Sequence, residues 1–187
     1  MIVALAGRRV DAADAPESRF PAANEALVRE RIRQVFMDFD VSAVVCSAAA
    51  GADLVALEVA ASLGLRRRVV LPFARDRFRV HSVADRPGEW GPRFQRVCSE
   101  LRGVSGMRVL HQSGTLHESA RHASRVILDE AGELAKAEVR SGLRRGSEGV
   151  TAVVVWDGAS RGPDDLTADF AEEARRRGLR VVEISTR

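Results

Sequence analysis

The segment VVCSAAAGADLVALEVAASLGL, residues 44–65, decides the fold class of this chain. It begins as a short apolar run that is typical of a buried β-strand, and it ends with the pattern of a helix. The small residues from Ser47 to Asp53 lie between the two. Gly64 follows the last helical position, where glycine commonly ends a helix. The segment therefore predicts a strand, a tight turn and a helix that packs against that strand.

The same alternation of strand and helix continues along the whole chain. Strands are predicted over 2–6, 43–46, 68–71, 107–110, 150–156 and 180–184, and helices over 22–39, 53–63, 90–102, 117–140 and 164–177. Apolar runs such as VVV at 153–155 do not alternate with polar residues, which favours strands covered on both faces. The sequence therefore predicts a single α/β domain over 1–187, with a doubly wound, mostly parallel sheet of about six strands and helices on both faces.

Composition and charge exclude several functional classes. The chain has 29 Lys and Arg against 26 Asp and Glu, a basic excess too small for a nucleic-acid-binding tail. Its two cysteines and four histidines lack metal-like spacing, and no apolar run approaches the roughly 20 residues that cross a bilayer. These features predict a cytoplasmic protein with no metal site, no membrane association and no specific nucleic-acid partner.

The least regular segments follow the carboxyl ends of predicted strands. They are residues 7–21, 73–91 and 157–163, and the turn from Ser47 to Asp53 lies at the same kind of position. In open α/β sheets, ligands bind outside the carboxyl ends of the strands, where the strand order reverses. We therefore expect the binding site on this edge of the sheet.

The first of these loops begins with Gly7, Arg8 and Arg9, directly after a strand. Guanidinium groups at the sheet edge hold a phosphate bidentately, although two adjacent arginines are also common on a solvated surface. Both interpretations stay open at the level of sequence.

The turn that follows the second strand has two interpretations as well. Small residues such as Ser47, Ala48 and Gly51 let a ligand approach the backbone N–H groups at a helix start, or they allow the helix to pack closely on the sheet. Asp53 has the chemistry of a helix cap, and also that of a hydrogen-bond acceptor for a ribose hydroxyl.

The third loop concentrates aromatic and arginine side chains. Its candidate ligand-binding residues are Pro72, Phe73, Arg75, Ser82, Trp90 and Arg93. Such side chains stack on a nucleobase and hold its phosphate. The alternative is a small hydrophobic cluster beneath a long connection.

The last loop follows the strand that ends at Trp156, a further candidate ligand-binding residue, and Gly162 and Pro163 turn it into the final helix. Backbone N–H groups and the Thr167 hydroxyl at this helix start are suited to an anion. Asp165 is a candidate for helix capping or for acid–base chemistry.

Five ordered segments of the chain resemble the SLOG superfamily of Rossmann-like domains. They are GRRVDAADAPESRFP, SAAAGADLVALEVAASLG, VVLPFARDRFRVHSV, EWGPRFQRV and the pair VVVWDG with RGPDDLTADFAEEARRRG. The superfamily includes LOG phosphoribohydrolases, DprA-like proteins and the sensor region of TRPM channels. The similarity is greatest to SLOG-like modules that accompany cyclase, TIR or CHAT domains in bacterial signalling or defence proteins.

The resemblance implies a nucleotide-derived ligand at the edge formed by the first, second and last loops. It assigns ligand contacts to Gly7, Arg8, Arg9, Ser47, Gly51, Asp53, Gly162, Asp165 and Thr167. It also implies a homodimer, with a TIR, CHAT or cyclase protein encoded nearby as the signalling partner.

The chain departs from the pattern of these relatives at two places. Arg8 stands where relatives often have histidine. The sequence Gly-Pro-Asp-Asp-Leu-Thr at 162–167 replaces their Gly-Gly-Thr turn, or the PGGxGTxxE motif of LOG enzymes. The glutamate of that motif has no counterpart, since Glu172 and Glu173 follow Thr167 by five and six residues rather than three.

Three functions follow from these expectations. The first is binding or sensing of a nucleotide or nucleotide derivative. The second is hydrolysis of a nucleotide N-glycosidic bond, for which Asp53 and Asp165 are the catalytic candidates. The third is an oligomeric scaffold that has kept the fold without a ligand.

Overall fold

The computed structural model describes residues 1–102, 106–111, 114–142 and 149–187. Six strands form one sheet: β1 Ile2–Gly7, β2 Ala43–Cys46, β3 Arg66–Leu71, β4 Met107–Val109, β5 Val150–Trp156 and β6 Arg180–Ser185. Their order is β4-β3-β2-β1-β5-β6, and every neighbouring pair is parallel. The prediction of a doubly wound α/β fold is confirmed.

Helices connect these strands. They are α1 Glu25–Asp38, which follows a single 3-10 turn at Ala22–Asn24, α2 Ala52–Ser62, α3 Arg75–Ser82, α4 Trp90–Leu101, α5 Leu116–Arg140 and α6 Leu166–Arg176. Helix α3 lies inside the third loop and was not predicted. Its sequence, RDRFRVHS, buries only Phe78, so it has no apolar periodicity to detect. Within the described ranges, none of the helices has both the length and the apolar character needed to cross a membrane.

The two faces of the sheet carry different helices. Val3 and Leu5 of β1 pack in a core with α1, α2 and α4, whereas Ile2 and Ala4 pack in a second core with α5 and α6. All four of these β1 residues are fully buried. Coverage on both faces explains why the strand sequences do not alternate between apolar and polar residues.

The strand order reverses between β1 and β5. The chain leaves β1 toward α1 on one face, and it leaves β5 toward α6 on the other. Connections that diverge in this way leave a crevice at the carboxyl ends of the two strands. The fold therefore places the loop after β1 beside the loop after β5, at the edge where the sequence predicts a site.

Candidate functional site

A cleft of about 800 Å³ opens at this carboxyl edge. The loop after β1, the turn between β2 and α2, and the first half of α5 form its walls. It brings together eight of the predicted site residues: Gly7, Arg8, Arg9, Ser47, Asp53, Pro72, Ser82 and Thr167. The remaining predicted site residues, Ala48, Gly51, Phe73, Arg75, Trp90, Arg93, Trp156, Gly162 and Asp165, do not line it.

The small turn after β2 packs against the first loop. Gly51 has a φ of 116°, and a Cβ added there would lie 2.5 Å from the Val10 nitrogen and 2.7 Å from the Arg8 carbonyl oxygen. The two segments form an isolated antiparallel bridge, in which the Ala52 N–H donates to the Arg8 oxygen and the Val10 N–H donates to the Ala50 oxygen. The glycine is therefore required by the backbone of the protein's own first loop.

Two backbone N–H groups of the turn before α2 already have hydrogen-bond acceptors inside the protein. The Ala50 N–H donates to the Ser82 carbonyl oxygen at 2.9 Å, and the Ala49 N–H donates to the Asp53 carboxylate at 3.2 Å. A Cβ on Gly7 would lie 2.5 Å from the Ala52 Cβ, so this glycine also permits close packing. The geometry favours the packing interpretation of the small residues.

Asp53 lies in the first turn of α2 and does not cap it. Gly51 occupies the cap position, so the predicted capping role of Asp53 is wrong. The carboxyl is 6% exposed, and burial raises its pKa to about 7 against the opposing hydrogen bond from Ala49. The hydroxyl of Ser47, another cleft residue, is buried with no hydrogen-bond partner among the described residues. The cleft therefore contains a carboxyl group that titrates near neutral pH and an unpaired hydroxyl.

Arg8 is 2% exposed and its guanidinium is engaged inside the protein. Its Nε lies 3.0 Å from Asp157, its Nη1 lies 2.7 Å from Asp165, and its Nη2 donates to the Ala159 carbonyl oxygen. Burial alone would lower the pKa of Arg8, but the hydrogen bonds to Asp165 and Asp157 raise it. The expectation that Arg8 holds a phosphate is corrected, because each nitrogen already has a protein partner. Arg8 instead positions the loop after β5.

Asp165 caps α6, as the sequence predicts. Its carboxylate accepts hydrogen bonds from the N–H groups of Thr167, Ala168 and Arg161. Burial opposes ionisation, but the hydrogen bonds from Arg8 and from the Arg161 N–H outweigh it and lower the pKa of Asp165 to about 2. A fully buried carboxylate that lies outside the cleft and is ionised at neutral pH is unsuited to acid–base catalysis, which does not fit the candidate catalytic role of Asp165.

The aromatic residues of the third loop form a hydrophobic cluster. The Phe78 ring centroid lies 5.9 Å from those of both Phe73 and Phe94, and all three side chains are buried. Trp90 is also buried, and its indole N–H donates to the Pro87 carbonyl oxygen. These side chains belong to the main core on the face of the sheet that α1, α2 and α4 cover. The structure therefore shows apolar packing, as in the second interpretation of this loop, but within the main core and not as a separate small cluster.

The arginines of this loop point to other partners. Arg93 lies 4.0 Å above the Trp90 ring and binds the Glu58 carboxylate with two nitrogens, each at 2.7 Å. Arg75 is exposed, 3.9 Å from Asp76. Trp90 and Arg93 are therefore engaged inside the protein, and the structure places Arg75 outside the cleft.

Two predicted residues of the last loop do not line the cleft. Trp156 donates its indole N–H to Glu183 at 2.9 Å, and the Arg8 guanidinium carbon lies 5.7 Å from the centre of its ring. Gly162 is exposed, with a φ of 104°. Their ligand contacts stay predictions.

Sequence reasoning missed Arg86 and Arg161, which line the cleft with Arg9. Partial burial is the larger cause that lowers the pKa of Arg86, and the charge of Arg9 is the next. Partial burial also lowers the pKa of Arg161, followed in size by the charge of Arg8. The available signal was their place in the irregular segments after β3 and β5. Nothing in the sequence distinguished them from the other arginines there.

No protein-family model matches this sequence, and no functionally curated protein matches it either. The resemblance to SLOG domains therefore stays a prediction, and the geometry of the cleft is the basis for a functional proposal.

Proposed function

We propose that this protein binds a nucleotide or a nucleotide-derived ligand in the cleft at the carboxyl edge of its sheet. The observation that carries the proposal is that one cleft is lined both by cationic side chains and by apolar ones. Arg9, Arg86 and Arg161 are among its cations, and Leu116 and Ile127 of α5 are among its apolar residues. The first loop also contributes carboxylates to the lining, at Asp11, Asp14 and Glu17. A nucleotide has the matching parts, because its phosphate is anionic and its base is a flat surface with little charge.

The size and the polar groups of the cleft fit such a ligand. Its volume of about 800 Å³ lies within the range of small-molecule sites. Ser47 and Asp53 supply a hydroxyl and a carboxyl group to the lining of the cleft, and such groups recognise sugar hydroxyls by hydrogen bonding.

Calorimetry and thermal unfolding with AMP, ADP, cyclic AMP, NAD and ADP-ribose test this proposal. A ligand at 100 times its dissociation constant stabilises the folded state by about 2.7 kcal/mol. Ala120→Trp fills the cleft from α5 and should abolish binding, whereas Glu133→Trp, at an exposed position of the same helix, should leave it intact. Absence of binding at millimolar ligand would contradict the proposal and favour the scaffold alternative.

A second candidate function, hydrolysis of an N-glycosidic bond, is favoured by Asp53. A carboxyl with a pKa of about 7 is present in both protonation states near neutral pH, as general acid–base catalysis requires. Incubation with nucleoside monophosphates and chromatography of the free base test it. Base release should disappear in Asp53→Asn and persist in Asp76→Asn, a change at an exposed position of α3. No base above the uncatalysed background would exclude this function for the substrates tested.

The cellular setting that we propose is cytoplasmic bacterial signalling or defence, and its support is the resemblance to SLOG modules. A gene for a TIR, CHAT or cyclase protein beside this one would strengthen it. The proposed homodimer has the same support, and sedimentation of the purified protein tests it.

A further inference from the structure

We propose that Arg9, Arg86 and Arg161 form a phosphate subsite of the cleft, and that the Asp85 carboxylate competes with the ligand's phosphate for this subsite. This inference rests on the proposed function and deepens it. It assigns the anionic end of the ligand to three side chains, and it names a residue that regulates the affinity.

The three arginines come from three separate loops. Arg9 follows β1, Arg86 lies between α3 and α4, and Arg161 follows β5. All three line the same cleft. The positive charges of Arg9 and Arg161 both act on Arg86, against the opposing charges of Asp85 and Asp11. The charge of Arg9 also acts on Arg161, where Asp165 opposes it. Cations brought together from distant parts of a chain repel one another, and a bound anion relieves that repulsion.

Arg86 has a donor that lacks a partner. Its side chain is 18% exposed, and its Nε is buried with no hydrogen bond among the described residues. Its Nη1 lies 3.4 Å from the Asp85 carboxylate and 3.5 Å from the Asp85 carbonyl oxygen, so both contacts are long. A buried donor without a partner is costly, and a phosphate oxygen would satisfy it.

Arg161 is held in place by its backbone while its side chain stays accessible. Its N–H donates to the Asp165 carboxylate at 2.8 Å, and Asp165 is itself fixed by Arg8. The Arg161 side chain is 53% exposed, and its Nε is 3.8 Å from Asp165, beyond hydrogen-bond length. The guanidinium is therefore placed at the cleft, and it has no partner within hydrogen-bond length among the residues that the structure describes.

Asp85 is the carboxylate that already pairs with two of these arginines. Both of its carboxylate oxygens accept from Nη1 of Arg9, at 2.9 and 2.7 Å, and one of them faces Arg86. A carboxylate carries one negative charge, whereas a phosphate monoester carries about 1.5 to 2 at pH 7 and has three acceptor oxygens. A phosphate monoester therefore replaces Asp85 on these arginines more effectively than a singly charged phosphodiester does. The subsite predicts a preference for AMP over cyclic AMP.

Titration calorimetry with inorganic phosphate, AMP, cyclic AMP and adenosine tests the subsite. Because a charge-assisted hydrogen bond is lost, Arg86→Gln and Arg161→Gln should each weaken AMP and phosphate by about tenfold or more, and leave adenosine unchanged. Asp85→Asn should tighten AMP and phosphate several-fold. Arg96→Gln, an exposed position on α4, is the matched control and should change nothing. Thermal unfolding of each variant establishes that it is folded.

The outcomes separate this inference from the proposed function. If AMP binds and both arginine variants keep its affinity, the subsite is wrong and the nucleotide proposal stands. If phosphate binds through these arginines but AMP binds no better, the subsite stands and the nucleotide proposal fails. If Asp85→Asn fails to tighten binding, the competing role of Asp85 is overturned. If neither phosphate nor AMP binds, both proposals are overturned.

Discussion

The Arg8 guanidinium lies 2.7 Å from the Asp165 carboxylate, although the two residues are 157 positions apart in the chain. This pair connects the end of β1 to the cap of α6 and also includes Asp157, whose carboxylate is 3.0 Å from Arg8 Nε. Replacing Arg8 removes the closest cation of the buried Asp165 carboxylate and leaves the buried Asp157 carboxylate with Arg19, whose Nη1 is 2.8 Å away. We therefore expect Arg8→Met to lower the free energy of unfolding by about 3–5 kcal/mol, measured by urea denaturation.

The control for Arg8→Met is Arg176→Gln. Arg176 is exposed on α6 and pairs with Glu173, so its loss should cost about 1 kcal/mol or less. A loss below 1 kcal/mol for Arg8→Met itself would show that the buried network does not position the loop after β5.

Gly51→Ala should also destabilise the protein. The new methyl group would lie 2.5 Å from the Val10 nitrogen, and the φ of 116° is unfavourable for alanine. We expect a loss of at least about 2 kcal/mol in the free energy of unfolding. Gly132→Ala is the matched control, because Gly132 lies within α5 and a Cβ there meets nothing within 4 Å.

The two glycine variants should shift stability in opposite directions. Alanine within a helix is favoured over glycine, so Gly132→Ala should gain roughly 0.5–1 kcal/mol. If Gly51→Ala were tolerated as well as Gly132→Ala, the close approach of the first loop to the turn after β2 would be contradicted.

Asp53 should make the stability of the protein depend on pH. Its pKa is about 7 in the folded protein and near its ordinary value of 3.8 in the unfolded chain. Between these values the folded state binds more protons, so stability falls as pH rises from about 4 to 7 and then levels off. At about 1.36 kcal/mol per pKa unit, the full loss is at most about 4 kcal/mol.

Asp53→Asn tests this effect, because the amide does not titrate and its oxygen still accepts the Ala49 N–H. The difference in unfolding free energy between the two proteins should change over this pH range, with the variant favoured above pH 7. The comparison also removes the contribution of the histidines, which are common to both proteins. A difference that is independent of pH would contradict the raised pKa of Asp53.

Much of the fold was predictable because its signals are local. The strand predictions match the observed bounds to within about two residues, since each strand is a short apolar run. Gly64 ends α2 with a φ of 69°, and Asp165 caps α6, as predicted. Among the helices of the described ranges, α3 was not predicted, because a short helix with one buried residue has no periodic pattern.

The candidate site was predictable in its location and only partly in its residues. Parallel strands place their carboxyl ends together, so the sequence alone determined which edge of the sheet holds the loops. It did not determine which arginine is buried. Arg8 and Arg9 are neighbours in sequence, yet Arg8 is bound to Asp157 and Asp165 while Arg9 lines the cleft with Arg86 and Arg161.

The sequence by itself determined the strands, the helices other than α3, the class of the sheet and the position of the small residues from Ser47 to Asp53. Only the tertiary structure decided what those small residues serve, because the segment that packs against Gly51 is the first loop, about 40 positions earlier in the chain. Burial and charge pairing also depend on the tertiary structure. The pKa of Asp53 and the partners of each arginine depend on groups that only folding brings within a few ångströms of one another.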